Sequence, residues 1–197
     1  MSLRRPTAEE INTFWFDEAG PKRWYTLSAA FDARVRRRFA ASVEREAAAC
    51  RDTAHPWLET PEGALAFILL FDQMPRNIWR GSGRAYAYDA LSLEGARNMI
   101  ARGFDFALPE DRRAFVYMPF MHSEAMADQA LCVDYAANRL EKTDTLRHAR
   151  LHRDVIARFG RFPHRNEALG RESTPEEAAF LEAGGYAPGR KRPAKTT

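Results

Sequence analysis

Residues 64–81 read A-L-A-F-I-L-L-F-D-Q-M-P-R-N-I-W-R-G, the most apolar run of the chain, and this run passes directly into Asp72, Gln73, Arg76 and Asn77. Leu65, Ile68, Leu69 and Asp72 stand at i, i+3, i+4 and i+7, so one core-facing helical stripe ends in a carboxylate. Pro75 is expected to stop that helix, because proline lacks the amide hydrogen and its ring collides with the preceding turn. A carboxylate at the end of a buried stripe must be paired or solvated, since an unpaired buried charge costs several kcal/mol or more. The stretch therefore reads as the central helix and as one wall of a polar site.

Working outward, Thr60 and Pro61 launch the central helix as cap and first residue. Before it, Thr7 to Glu10 forms a capping box, and Ser28 caps a long helix in which Phe31, Val35, Phe39 and Val43 recur every four residues. The run Arg36 to Arg38 falls on that helix's solvated side. After the central helix, Gln73 to Tyr88 reads as the longest irregular segment, with Trp79 and Tyr86 as the rim of a site. Asp89 caps a helix that Gly103 ends, and a short helix from Pro109 is expected to finish before Pro119. His122 to Glu124 then opens a longer helix whose stripe of Met126, Ala130, Val133, Ala137 and Leu140 places His122 on the inward face. Thr143 or Asp144 starts the next helix, carrying His148, His152, Val155, Ile156 and Phe159 up to Gly160. Thr174 opens the last, which ends at Gly184–Gly185. The expected fold is all-α, with eight or nine helices packed as antiparallel hairpins and no strand.

At 197 residues the chain reads as one domain, able to bury roughly 70% of its unfolded surface without staples. The domain is expected over residues 1–185, with a basic, disordered tail over 186–197. Arg190, Lys191, Arg192 and Lys195 lie in that tail with no acid, and removing these four from the net charge of +3 leaves −1 for the rest. The body is thus not basic, which argues against specific nucleic-acid binding. Cys50 and Cys132 have neither disulfide-framework nor metal-ligand spacing and read as structural thiols of a reducing compartment. No leader and no run of ~20 apolar residues is present, so no membrane partner is expected and the reading is a soluble, cytoplasmic protein.

Several strings are distinctive: F-W-F-D from Phe14, D-Q-M-P-R-N from Asp72, M-P-F-M-H-S-E-x-x-x-D-Q from Met118, H-R-D-V-I-A-R-F-G-R-F-P-H-R-N from His152, and L-G-R-E-S-T-P-E-E from Leu169. In this order they resemble the family called domain of unknown function 924, over about residues 12 to 181. The resemblance implies an all-helical, tetratricopeptide-repeat-like fold and no established activity. His148 lies outside the family pattern.

The polar residues suit three chemistries. His148 and His152 share a helix face at i and i+4, but no glutamate or third ligand is specified, so no metal and no cofactor is expected. His122, Glu124, Asp128, His152 and Asp72 hold the parts of a His/carboxylate acid–base site, and a metal-independent hydrolase-like enzyme is the alternative reading. Ser123 reads as a capping residue before it reads as a nucleophile. The favoured reading is a pocket for a small anionic or carboxylate ligand or a peptide. It is built from Asp72, Gln73, Arg76 and Asn77 with Arg158, Arg161, His164, Arg165 and Asn166, because planar guanidinium groups suit carboxylate and phosphate. Equal weight falls to a purely structural ion network made by the same side chains. Oligomeric state stays open.

Overall fold

A computed structural model describes residues 5–50 and 55–188. The four basic tail residues lie outside the described residues. Helix α1 (Ala8–Asn12) continues as a π-helix over Thr13–Ala19, and α2 (Pro21–Trp24) and α3 (Ala29–Ala49) follow. Next come α4 (Pro61–Ile68), a π-helical segment Leu69–Gln73 and α5 (Met74–Ile78), which together form one rod. Then follow α6 (Asp89–Ala101), α7 (Glu110–His122), α8 (Met126–Arg139), α9 (Thr143–Phe159) and α10 (Pro175–Glu182). Counting the α4–α5 rod once, the described residues form nine helices and no strand. The expected all-α class stands.

Local chemistry accounts for most of the boundaries. Thr7 and Thr174 close capping boxes with Glu10 and Glu177, Ser28 accepts from the Phe31 amide, and Thr60 from the Gly63 amide. Gly103 and Gly160 take the left-handed conformation that ends α6 and α9. Two expectations about proline fail. The rod does not stop at Pro75, because the π segment changes the bonding register just before it: the Met74 amide reaches back to the Leu69 carbonyl, and Pro75 enters the first turn of α5, where its missing amide is tolerated. Nor does α7 end before Pro119. It runs through to His122, with Phe115 to Met121 all buried. As a result His122 closes α7 instead of opening a longer helix, and Gln73–Tyr88 is largely helical rather than irregular.

The central rod is more deeply set than one apolar stripe predicts. Every residue from Gly63 to Pro75 is buried, because α1, α6 and α7 pack against α4 on different sides. Aromatic rings fill the space around it, with Phe14 edge-on to Phe39 at 4.8 Å and Trp24 edge-on to Phe115 at 4.9 Å. Helices α8 and α9, joined by residues 140–142, pack on each other as a hairpin, and α7 packs on α8. A second, smaller apolar cluster of Val155, Ile156 and Phe162, flanked by Phe159, Phe180 and Tyr186, gathers at the α9–α10 end. The chain thus has two cores of unequal size, and the polar residues of interest lie where they meet.

Helix α6 approaches α4 most closely at Gly95, where an added Cβ would fall 2.7 Å from the Phe67 ring. Gly95→Ala is therefore expected to destabilise the protein by about 1–3 kcal/mol through overpacking, outweighing its gain in helix propensity. Urea unfolding of the two proteins checks this.

Candidate functional site

Asp72 anchors the site from the π segment, and its side chain is fully buried. Its carboxylate accepts from His122 Nδ1 at 2.7 Å, lies 3.2 Å from Arg76 Nη1, and accepts from the Gln73 amide. The Asp72 carbonyl also accepts from the Arg76 guanidinium. Burial alone pushes the carboxyl pKa up, but the charge of Arg76 and the hydrogen bonds from His122 and Gln73 outweigh it and hold the group at about 2. Asp72 is ionised at neutral pH.

Arg76 reaches from α5 to Asp89 at the start of α6, 3.0 Å away. Arg165, on the short 3₁₀ turn Pro163–Arg165, shares that carboxylate at 3.3 Å. The Arg165 guanidinium lies 4.5 Å from the ring centroids of both Tyr86 and Phe162, and Arg76 lies 5.7 Å from that of Tyr86. Arg165 is 6% exposed, and its Nε is buried without a hydrogen-bond partner. Burial and the nearby Arg76 charge lower its pKa.

Three histidines complete the cluster. His122 and His152 pack edge-on with ring centroids 6.1 Å apart, His152 packs edge-on against Phe162 at 5.5 Å, and His164 lies 5.5 Å from Phe162. His122 Nδ1 meets an ionised carboxylate, which can only accept, so that nitrogen carries hydrogen. His152 Nδ1 lies 2.8 Å from the His148 carbonyl, which by the same reasoning fixes its hydrogen at Nδ1. His164 Nδ1 is buried with no partner. All three are held neutral: burial and Arg76 lower His122, burial lowers His152 well below its ordinary value, and burial with Arg165 takes His164 to about 3.

Asp72, Gln73, Arg76, His122, His152, His164 and Arg165 thus come together, from four separate stretches of chain. Glu124 borders them, accepting from the Phe162 amide at 2.8 Å and holding Arg171 in a two-point pair at 2.7 and 3.0 Å. The remaining candidates sit in other networks. Asn77 donates to Asp32 at 2.8 Å beside Arg80 and braces α5 against α3. Asp128 takes the Ser123 hydroxyl at 2.7 Å and pairs with Arg97. Arg158 pairs with Glu176 on the surface, and Arg161 grips buried Glu177 at 2.6 and 2.8 Å. Asn166 donates to Glu177 at 3.2 Å. These last three tie α9 and the following turn to α10. Their side chains are satisfied within the scaffold, which is why the expected single convergence divides.

His148 and His152 do not face a common ligand position: His148 Nδ1 bonds the Tyr186 hydroxyl at 2.7 Å, and that hydroxyl also lies 3.3 Å from His152 Nδ1. Among the described residues no group of three or more His, Cys, Asp or Glu side chains is placed to hold a metal ion. Asp89, Arg171 and Tyr186 were missed as members of this region. Asp89 resembles an ordinary helix-start acid, and Tyr186 lies just beyond the expected domain end. Of the two aromatic residues expected at a rim, Tyr86 lies against Arg76 and Arg165, while Trp79 packs against Arg84 at 4.4 Å. No helix among the described residues is long and apolar enough to cross a membrane.

A solved structure of a protein of unknown function from Agrobacterium tumefaciens is similar to this chain at 44% identity and a TM-score of 0.83, over 90% of this chain and 97% of that one. None of the curated proteins matches. Asp72, Arg76, His122, His152 and Arg165 all fall within residues 11–185, the span matched by the family model for bacterial proteins of unknown function, DUF924. The chain belongs to that family.

Proposed function

We propose that this protein binds the carboxylate or phosphate group of a small ligand at Arg165 and His164, with Arg76 behind them. One observation carries the reading: a guanidinium 6% exposed retains a buried donor, Nε, without a partner, beside a histidine ring nitrogen in the same condition. Leaving a buried donor unmatched costs about 1–3 kcal/mol. Structural ion networks normally satisfy such atoms, as the Arg161–Glu177 pair does here. An anion supplies the missing acceptor, and a guanidinium set between two rings is preorganised to receive it. The Asp72–His122 pair gives the same place the parts of an acid–base site, with Asp72 orienting the imidazole. The Ser123 hydroxyl is no part of that pair, since it donates to Asp128. Binding is therefore the better-supported reading.

Sulfate, which keeps its charge from pH 5 to 8, tests the anion site directly. It is expected to raise the melting temperature of the wild type in a saturable manner, and the saturable part is lost in Arg165→Met. Arg158→Ala, which touches only the surface pair with Glu176, retains it. Equal sulfate responses in wild type and Arg165→Met reduce the effect to nonspecific salt stabilisation and remove the proposal.

The histidines give a second test. His122, His148, His152 and His164 have folded-state pKa values below the unfolded ~6.5, so the unfolded chain binds more protons as pH falls past that value. Their contribution is fully present above about pH 6.5 and is lost on the way down. Asp72 and Glu124, which face them and are held below the ordinary carboxylate range by neighbouring cations and hydrogen bonds, remain ionised through this window and soften the loss. Urea unfolding is expected to show stability falling between pH 6.5 and 5, with a slope approaching about 1.4 kcal/mol per pH unit for each histidine that stays neutral. Because the cations beside the histidines depress them, a bound anion raises their pKa values, and saturating sulfate flattens the slope. A stability profile flat over that window contradicts the neutral assignment.

A further inference from the structure

We propose that the Nε2 atoms of His122 and His152 receive the ammonium group of the same ligand whose carboxylate lies at Arg165 and His164, which makes the ligand a free α-amino acid. The inference rests on the anion reading above and adds the second end of the molecule. With hydrogen fixed on Nδ1 of His122 by Asp72 and on Nδ1 of His152 by the His148 carbonyl, each ring offers a lone pair at Nε2. Neither Nε2 has a hydrogen-bond partner among the described residues. The ring centres stand 6.1 Å apart, close enough for one small donor group to lie against both rings. Two unpartnered acceptors on neighbouring rings suit a group with at least two hydrogens to give. A hydroxyl has one, whereas an ammonium has three.

Charge balance selects the same ligand. The carboxylates of Asp72, Asp89 and Glu124 are already matched by the guanidinium groups of Arg76, Arg165 and Arg171. A net-charged ligand unbalances this set, while a zwitterion adds one charge of each sign and leaves it neutral. Ionised Asp72, hydrogen-bonded behind His122, stabilises positive charge arriving at the far nitrogen of that ring.

The test is thermal shift of the wild-type protein against the twenty L-amino acids and sulfate, followed by calorimetric titration of the strongest amino acid, its deaminated carboxylate and its carboxamide. The expected result is saturable binding of at least one amino acid, weakened at least tenfold by loss of the amino group and at least tenfold by amidation. Asp72→Asn presents an amide to His122 Nδ1, transfers the ring hydrogen to Nε2, and is expected to weaken the amino acid while leaving the deaminated carboxylate within about threefold. Should that variant misfold, His152→Phe removes one acceptor, with the same split expected. If the deaminated carboxylate binds as tightly as the amino acid, the ammonium assignment is wrong and the anion site survives. A saturable shift with sulfate and none with any amino acid has the same meaning. If neither sulfate nor any amino acid shifts the protein, both readings fall.

Discussion

The buried carboxylate of Asp72 is the constraint on which the centre of this molecule turns. A charge with no exposed surface persists only if its surroundings are organised around it. Here the organisation recruits the next turn of its own rod through Arg76 and the end of α7 through His122. Arg76 in turn meets Asp89 at the head of α6, and Asp89 meets Arg165 from the segment after α9. One charge thus fixes how four otherwise separate stretches meet. The π segment is part of the same arrangement. It shifts the bonding register within the rod at the residues that carry Asp72 and Gln73, and it lets Pro75 follow without breaking the helix.

The unequal cores explain why the polar cluster sits where it does. The large core around α4 is closed by aromatic rings, and ion pairs and neutral imidazoles lie between it and the small one at the α9–α10 end. Phe162 belongs to the small core yet contacts His152, His164 and Arg165, so the seam between the cores is half apolar and half charged. Seams of this kind are common ligand positions, because apolar walls and a few converging polar groups occur together there.

The helical class was readable because its signals are local: capping boxes at Thr7 and Thr174, proline after Thr60, and glycine at 103 and 160 each act within one turn. Where sequence reasoning failed, a nonlocal or compensating effect was at work. Pro75 and Pro119 are helix breakers in isolation, but a changed register in one case and deep burial in the other overrode propensity. Depth was also underread at the rod, since a stripe count reveals one buried face and not how many neighbours will cover the rest. For the site, inward position was legible for Asp72, His122 and His152 from helical spacing. Pairing was not, because nothing local distinguishes Arg161, satisfied by Glu177, from Arg165, which keeps a free donor. That difference arises from which acid lies across a turn in three dimensions.

The Tyr186 hydroxyl, bonded to His148 Nδ1 and close to His152 Nδ1, also has a practical meaning for handling this family. The family match ends at residue 185, and a chain trimmed there loses that hydroxyl together with a ring that packs 5.0 Å from His152. His152 would then gain solvent where that ring now covers it, and its pKa would drift back toward the ordinary histidine range. A boundary chosen by similarity alone would therefore keep the helices and alter the titration of the cluster, so domain truncations intended for binding work need to retain at least one residue past the edge of the shared fold.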